Sequence, residues 1–225
     1  MAQQTRTRRA AGSFGPTLSQ AKLYFEKEMQ TLGEKAQRAT SVDVWFEGTY
    51  CVAVECKLGE SEFGTCSRPR LKPTDEGFET QHCDGNYTRQ RGRTERCALT
   101  EIKVRYWQYV GELFGWSSEI DHRPCPLNNT YQLARNVLAA CVDDHGNLHT
   151  GRGHALVIYD QRNPAMAKDG TCDRSLRKAY EALQAPVLRR LSWQGLIAQW
   201  PSDPILNWLK EKLGEKYGLL PSLNR

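Results

Sequence analysis

The stretch from Val42 to Leu58 confines this chain more than any other, because it reads as two β-strands folded about Glu47-Gly48. Val42-Asp-Val-Trp-Phe46 and Thr49-Tyr-Cys-Val-Ala-Val54 are dense in β-branched and aromatic residues, which suit a pleated and largely buried surface. Side chains alternate along a strand. Val52, Val54 and Cys56 therefore share one face, and Cys51, Ala53, Glu55 and Lys57 share the other. Asp43 opens the first strand and Glu55-Cys-Lys57 closes the second. Pairing the two strands gathers an Asp, a Glu and a Lys at one end of the hairpin.

Those residue types point to phosphoryl chemistry. Two carboxylates with an adjacent ammonium make an oxygen-donor site for a hard divalent cation, Mg²⁺ or Mn²⁺. Such an ion polarises a phosphoryl oxygen and lowers the pKa of a water. A fixed Lys57 ammonium can orient that water and offset charge that builds in the transition state. The Cys56 carbonyl is a further candidate ligand. A Glu-x-Lys triplet alone carries little weight, since an alternating charged strand often faces solvent. The weight comes from Asp43 on the paired strand, and from Glu28 as a candidate outer carboxylate or ligand. Leu18, Ala21, Phe25, Glu28 and Leu32 recur at helical spacing, so a helix is expected from Thr17, with Glu28 turned to its apolar side.

The rest of the chain divides around this hairpin. Residues 1–16 hold three Arg and no acidic residue, and read as a flexible basic arm ahead of a single domain over 17–225. Residues 59–97 form a Gly-, Pro- and charge-rich insertion with no sustained period, which calls for a function or for something that holds it together. Within or beside it lie Cys66, Cys83, Cys97 and Cys125. No Cys-x₂-Cys pair occurs, so three readings stay open: a zinc site, an iron–sulfur cluster, or buried thiols. Arg89, Arg91 and Arg93 make a candidate phosphate-contact loop for nucleic acid. Beyond the insertion, a helix is expected with Leu99, Ile102, Tyr106, Val110 and Leu113 on one side. Another is expected over Tyr131–Cys141, capped by Asn129-Thr130. A strand over Ala155–Tyr159, a helix over Leu176–Gln184, a short strand over Val187–Leu191 and two C-terminal helical pieces follow. That order fits an α/β (α+β) fold with a mixed sheet flanked by helices.

Composition excludes some classes. With 39% hydrophobic residues the chain can build a core, and no apolar run approaches a membrane span. The N-terminus lacks a secretory apolar segment, so a cytoplasmic protein with reduced thiols is expected. The net charge of +5 is compatible with a polyanionic partner.

The hairpin with Asp43 and Glu55-x-Lys57 resembles the core of the PD-(D/E)xK restriction-endonuclease-like superfamily. More narrowly, several segments resemble a bacterial family of restriction-endonuclease-like proteins: Cys66-Ser-Arg-Pro, Cys125-Pro, Tyr131-Gln-Leu-Ala-Arg-Asn136, Tyr159-Asp-Gln-Arg-Asn-Pro164, Ser192-Trp-Gln194 and Lys216-Tyr-Gly-Leu219. The likeness runs from about Thr17 to Leu219, and departs in having Val42 rather than Pro before Asp43. It implies an αβββαβ-type core and Mg²⁺-dependent cleavage of phosphodiester bonds, with Asp43, Glu55 and Lys57 catalytic. Gln132 and Asn136 stand four apart on one helix face beside Arg135, and resemble the polar helix of exonuclease-type members that holds the scissile strand. A partly polar surface helix is the other reading of those residues. The expectation is a DNA endonuclease of defence or restriction, with RNA also open as substrate, acting alone, as a homo-oligomer or in a protein complex. Its rival is an inactive, Cys-stapled nucleic-acid-binding module or a subunit of a larger assembly.

Overall fold

The computed structural model describes residues 21–34 and 40–220. Within them one five-stranded sheet runs in the order β1-β2-β3-β4-β5. Its strands are β1 (Lys22–Met29), β2 (Thr40–Glu47), β3 (Cys51–Lys57), β4 (Gly153–Tyr159) and β5 (Leu188–Ser192). The first two pairings are antiparallel and the last two parallel. The β2–β3 hairpin expected from the sequence forms, but its loop is Gly48-Thr-Tyr50 rather than a turn at Glu47-Gly48, since Phe46 pairs with Val52. A parallel neighbour needs a long crossover, and the one from β3 to β4 carries α1 (Phe78–Gln81), α2 (Ala98–Glu101), α3 (Tyr106–Phe114) and α4 (Leu127–Cys141). Helix α5 (Thr171–Ala182) returns the chain to β5, and α6 (Trp193–Ala198) and α7 (Pro204–Tyr217) follow. A mixed sheet flanked by helices is the α/β architecture expected from the order of elements.

Strand β3 sits at the centre of the sheet and is covered on both sides. Cys51 and Ala53 join the main core with Leu133, Val137 and Leu138 of α4, while Val52, Val54 and Ile158 pack with Trp193 and Leu196 of α6. Burial on both faces explains why β3 and β4 are apolar runs rather than alternating ones. Small residues let α4 lie close to the sheet: Ala134, Ala139 and Ala140 are all fully buried. At the start of β4 only glycine fits. A Cβ on Gly153 would collide with the Cys51 carbonyl oxygen and stand 2.9 Å from that of Ala140.

Three expectations require correction. The residues read as a helix from Thr17 form strand β1 where they are described, because Tyr24 and its neighbours pair along β2 rather than closing helical turns. The side chain of Phe25, read as part of the helix's apolar stripe, remains exposed on this edge strand, as does that of Leu23. The helix expected around Leu99–Leu113 is broken in two, and Lys103 between the halves has φ of 74°. Helix α4 begins at Leu127, which places Asn129 and Thr130 inside it, with the Thr130 hydroxyl donating to the Pro126 carbonyl at 2.8 Å. The basic arm 1–16 lies outside the described residues.

The C-terminal helices are tied to the sheet through one carboxylate. Asp160, just past β4, donates its N–H to the Lys57 carbonyl at 2.9 Å. Its side chain accepts from Gln194 of α6 at 2.8 Å and from Arg162 at 2.5 Å, and Arg162 in turn donates to the Tyr217 carbonyl of α7 at 2.6 Å. The Arg162 hydrogen bonds hold the Asp160 carboxyl down to about 2. A lowered carboxyl stabilises the fold above its ordinary range near 3.8 and loses that contribution as pH falls toward about 2. Because the Arg162 side chain is half exposed, solvent screens part of that contribution. Asp160→Asn is therefore expected to lower the urea midpoint at neutral pH, with the gap from wild type narrowing through this acid window. A gap equally wide in acid would mean that the carboxylate charge is irrelevant.

Candidate active site

The hairpin register brings the carboxylates together. Val44 pairs with Val54, so one further step sets Asp43 opposite Glu55. There the regular ladder gives way. The Cys56 N–H donates to the Asp43 side chain (Oδ2) at 2.7 Å, which fixes that carboxylate at the mouth of the strand pair. Glu55 and Lys57 project toward α4, as alternation along β3 requires, and both are buried. Glu55 Oε1 lies 2.9 Å from Lys57 Nζ, and Oε2 accepts from Asn136 Nδ2 at 2.8 Å. The Lys57 ammonium is also 5.8 Å from the centroid of the Phe63 ring. Two charges withdrawn from water need such added hydrogen bonds, and removing one partner leaves the other buried and uncompensated. Lys57 is thus a structural partner of Glu55 as well as a candidate catalytic cation.

Burial pushes the Asp43 carboxyl upward, helped by the like charges of Glu55 and Glu26, against the pull of the Cys56 N–H and of Lys57. Three carboxylates therefore feel one another here. Phe25 pairs with Val44 and Lys27 with Val42, so Glu26 lies opposite Asp43 on β1. Its backbone departs from the strand, with φ of 49°, and its carboxylate accepts from the Ser41 hydroxyl at 2.7 Å. Glu26 was missed in the sequence because a helical reading selects Glu28. Glu28 is exposed on the edge strand, across from Ser41, and no helix turns it inward. Reading the same segment with a period of two would have raised Glu26.

Helix α4 supplies the opposite wall. Asn136 is fully buried, and because its amide nitrogen faces an acceptor-only carboxylate, its oxygen is left pointing elsewhere. That oxygen and Gln132 Oε1, one turn earlier, are buried and have no hydrogen-bond partner among the described residues. Gln132 reaches the loop after β3: a Cβ on Gly64 would lie 3.8 Å from its amide oxygen. Unpaired buried acceptors are costly unless a water or cation meets them. The oxygen-only surroundings of Asp43 and Glu55 suit a hard cation such as Mg²⁺. Among the described residues no group of three or more His, Cys, Asp or Glu side chains is arranged to hold a metal ion. Asp43 and Glu55 would hold it together with the Cys56 carbonyl and water, a shell typical of Mg²⁺.

Other expected contacts fall away from this wall. Arg135 donates to the Ser41 carbonyl at 2.9 Å and lies over the Tyr131 ring, so it clamps β2 to α4. Arg89 and Arg91 are exposed, Arg91 lying 3.8 Å from Glu79, whereas Arg93 is buried. Cys66, Cys83, Cys97 and Cys125 line one small cavity within the crossover.

A family profile described as Restriction Endonuclease associating with ARP matches residues 3–218, beginning ahead of Thr17. The chain belongs to that family. No curated protein and no solved structure matches it. For a member of a restriction-endonuclease family, the mixed sheet with the carboxylates of its hairpin facing α4 is the compatible architecture.

The raised Asp43 carboxyl makes its ionised form unfavourable in the metal-free fold above its pKa. Asp43→Asn keeps an acceptor for the Cys56 N–H and removes the repulsion. Its metal-free melting temperature is expected to equal or exceed wild type, while the stabilisation of wild type by millimolar Mg²⁺ disappears. Thermal melts with and without Mg²⁺ decide the matter. An Asp43→Asn protein still stabilised by Mg²⁺ like wild type would take Asp43 out of the cation site.

Proposed function

We propose that the protein is a Mg²⁺-dependent endonuclease that hydrolyses phosphodiester bonds in DNA. The observation that carries this reading is the convergence of Asp43, Glu55 and Lys57 at one end of the hairpin, with Asn136 bonded to Glu55. When bound, Mg²⁺ would polarise the scissile phosphoryl group and make a water more acidic. Asp43 and Glu55 bind the cation, and the Cys56 N–H keeps Asp43 in place for it. Lys57 places a fixed positive charge beside the phosphoryl oxygens and orients the attacking water, while its buried stem excludes bulk solvent. Gln132 and Asn136 offer amide groups to that water and to the strand. The family's description names an association with ARP, so a protein partner belongs to this reading. A cytoplasmic location is part of this proposal. Among the described residues no helix is long and apolar enough to cross a membrane.

The substrate strand needs a channel that leads to this point. A cleft of about 330 Å³ opens beside Gly64, lined by Glu62, Asn129, Thr171, Arg174, Ser175 and Lys178. Arg174 and Lys178 are one turn apart on α5, so they share a face and can meet successive phosphates.

Supercoiled, linear and single-stranded DNA incubated with Mg²⁺, Mn²⁺ or EDTA test the proposal. Nicking and linearisation of supercoiled DNA are expected with either metal and not in EDTA. Asp43→Asn and Glu55→Gln should each reduce cleavage by at least about 100-fold, with the double variant little worse, because residues acting as one unit are non-additive. Wild-type turnover by folded Asp43→Asn, or cleavage in EDTA, would remove the mechanism. Arg174→Ala with Lys178→Ala should act mostly on KM, by about tenfold, and flatten the salt dependence of DNA binding by roughly one unit per lost phosphate contact.

A further inference from the structure

We propose that Cys66, Cys83, Cys97 and Cys125 hold a structural zinc ion that fastens the crossover between β3 and α4. The four cysteines come from four separate stretches of chain and line a single cavity, together with Arg68, Tyr87 and Leu127 among others. No His, Asp or Glu is among the lining residues, so the donor set is thiolate alone. The other four cysteines line none of the clefts described, which makes the convergence selective.

The crossover needs a fastening. Between β3 and α3 the only helices are α1 and α2, each of four residues, and two residues of α2 are all that either buries. Backbone hydrogen bonds join its segments at the cysteines themselves. The Cys66 N–H donates to the Asn128 carbonyl at 3.2 Å, Cys83 to Pro69 at 3.0 Å, and Cys125 to Gly85 at 2.9 Å. The loop segments are therefore docked so that the four cysteines border one cavity. The Cys83 thiol itself finds only a long contact, 3.9 Å, to the Asn86 carbonyl.

Size and charge select the occupant. The cavity has room of about 10 Å³ for the centre of a water-sized sphere, which is space for a single atom. A single Zn²⁺ suits it better than the several atoms of an iron–sulfur cluster, which would require the loops to part further. Among the described residues no three of these side chains are yet arranged as ligands, so binding requires the thiols to turn inward. Binding forms four zinc–sulfur bonds and releases four thiol protons to water, which leaves a net charge of about −2 on the centre. Arg68 lines the cavity and is held there by Asn128 at 2.6 Å and by the Cys83 carbonyl at 3.3 Å, in place to offset that charge.

The test is metal analysis of the full chain, purified without chelators and dialysed. One equivalent of zinc per chain is expected. Replacement by Co²⁺ should give the intense sulfur-to-metal absorption of a tetrahedral thiolate site. Cys83→Ser with Cys125→Ser should lose the zinc, and because that variant can also fail to fold, the Co²⁺ spectrum of wild type stands as the independent measurement. Asp43→Asn should keep its full zinc content, which separates this site from the nuclease centre. A folded wild-type chain with under about a tenth of an equivalent of zinc, with iron in its place, or without thiolate absorption on adding Co²⁺, would overturn the proposal.

Discussion

A charge pair buried in the central strand sets the terms for much of this fold. Glu55 and Lys57 lie on β3 with helices covering both faces of the sheet, so neither charge can be relieved by bulk water. Their separation of 2.9 Å offsets part of the desolvation cost, and Asn136 from α4 supplies a further hydrogen bond. A hydrophobic pair would have been cheaper at this place. The arrangement makes physical sense for a strand that must present charge at one end and core at the other. Asp43, raised by burial and by its acidic neighbours, is the counterpart: a carboxylate that a cation would satisfy better than the metal-free protein does.

Polar ties between distant segments hold that centre in position. Ser67 and Tyr131 share a hydrogen bond of 2.8 Å, and Arg68 donates to Asn128, so the start of the insertion is fixed to α4 beside Gln132. On the other side Asp160 joins the end of β4 to Gln194 of α6 and, through Arg162, to the end of α7. The short segments that carry the family resemblance in the sequence are largely these tie points. They are rich in Arg, Asn, Asp and Gln because loops docked without regular structure must find side-chain partners for their backbone groups.

The edge of the sheet illustrates how a local pattern misleads. Leu18, Ala21, Phe25, Glu28 and Leu32 satisfy a helical period, yet Lys22–Met29 also alternates, and a free edge on β2 decided between the two. Propensity and period are weak where a segment is short and amphipathic in both senses. The same ambiguity moved the third carboxylate from Glu28 to Glu26.

The sequence alone determined that two strands pair as a hairpin and that Glu55 and Lys57 share a face, because a two-residue alternation is a local property. The register that sets Asp43 opposite Glu55 came with the longer loop Gly48-Thr-Tyr50. The sequence also sufficed to place Gln132 and Asn136 on one face of a helix, since four residues make about one turn. Only the tertiary structure decided that this face meets Glu55, that Arg93 is buried and Arg135 occupied, and that Cys66, Cys83, Cys97 and Cys125 gather round one cavity. Each of these depends on how segments distant in sequence dock. Irregular loops dock through packing and individually weak hydrogen bonds that leave no period to read in the chain.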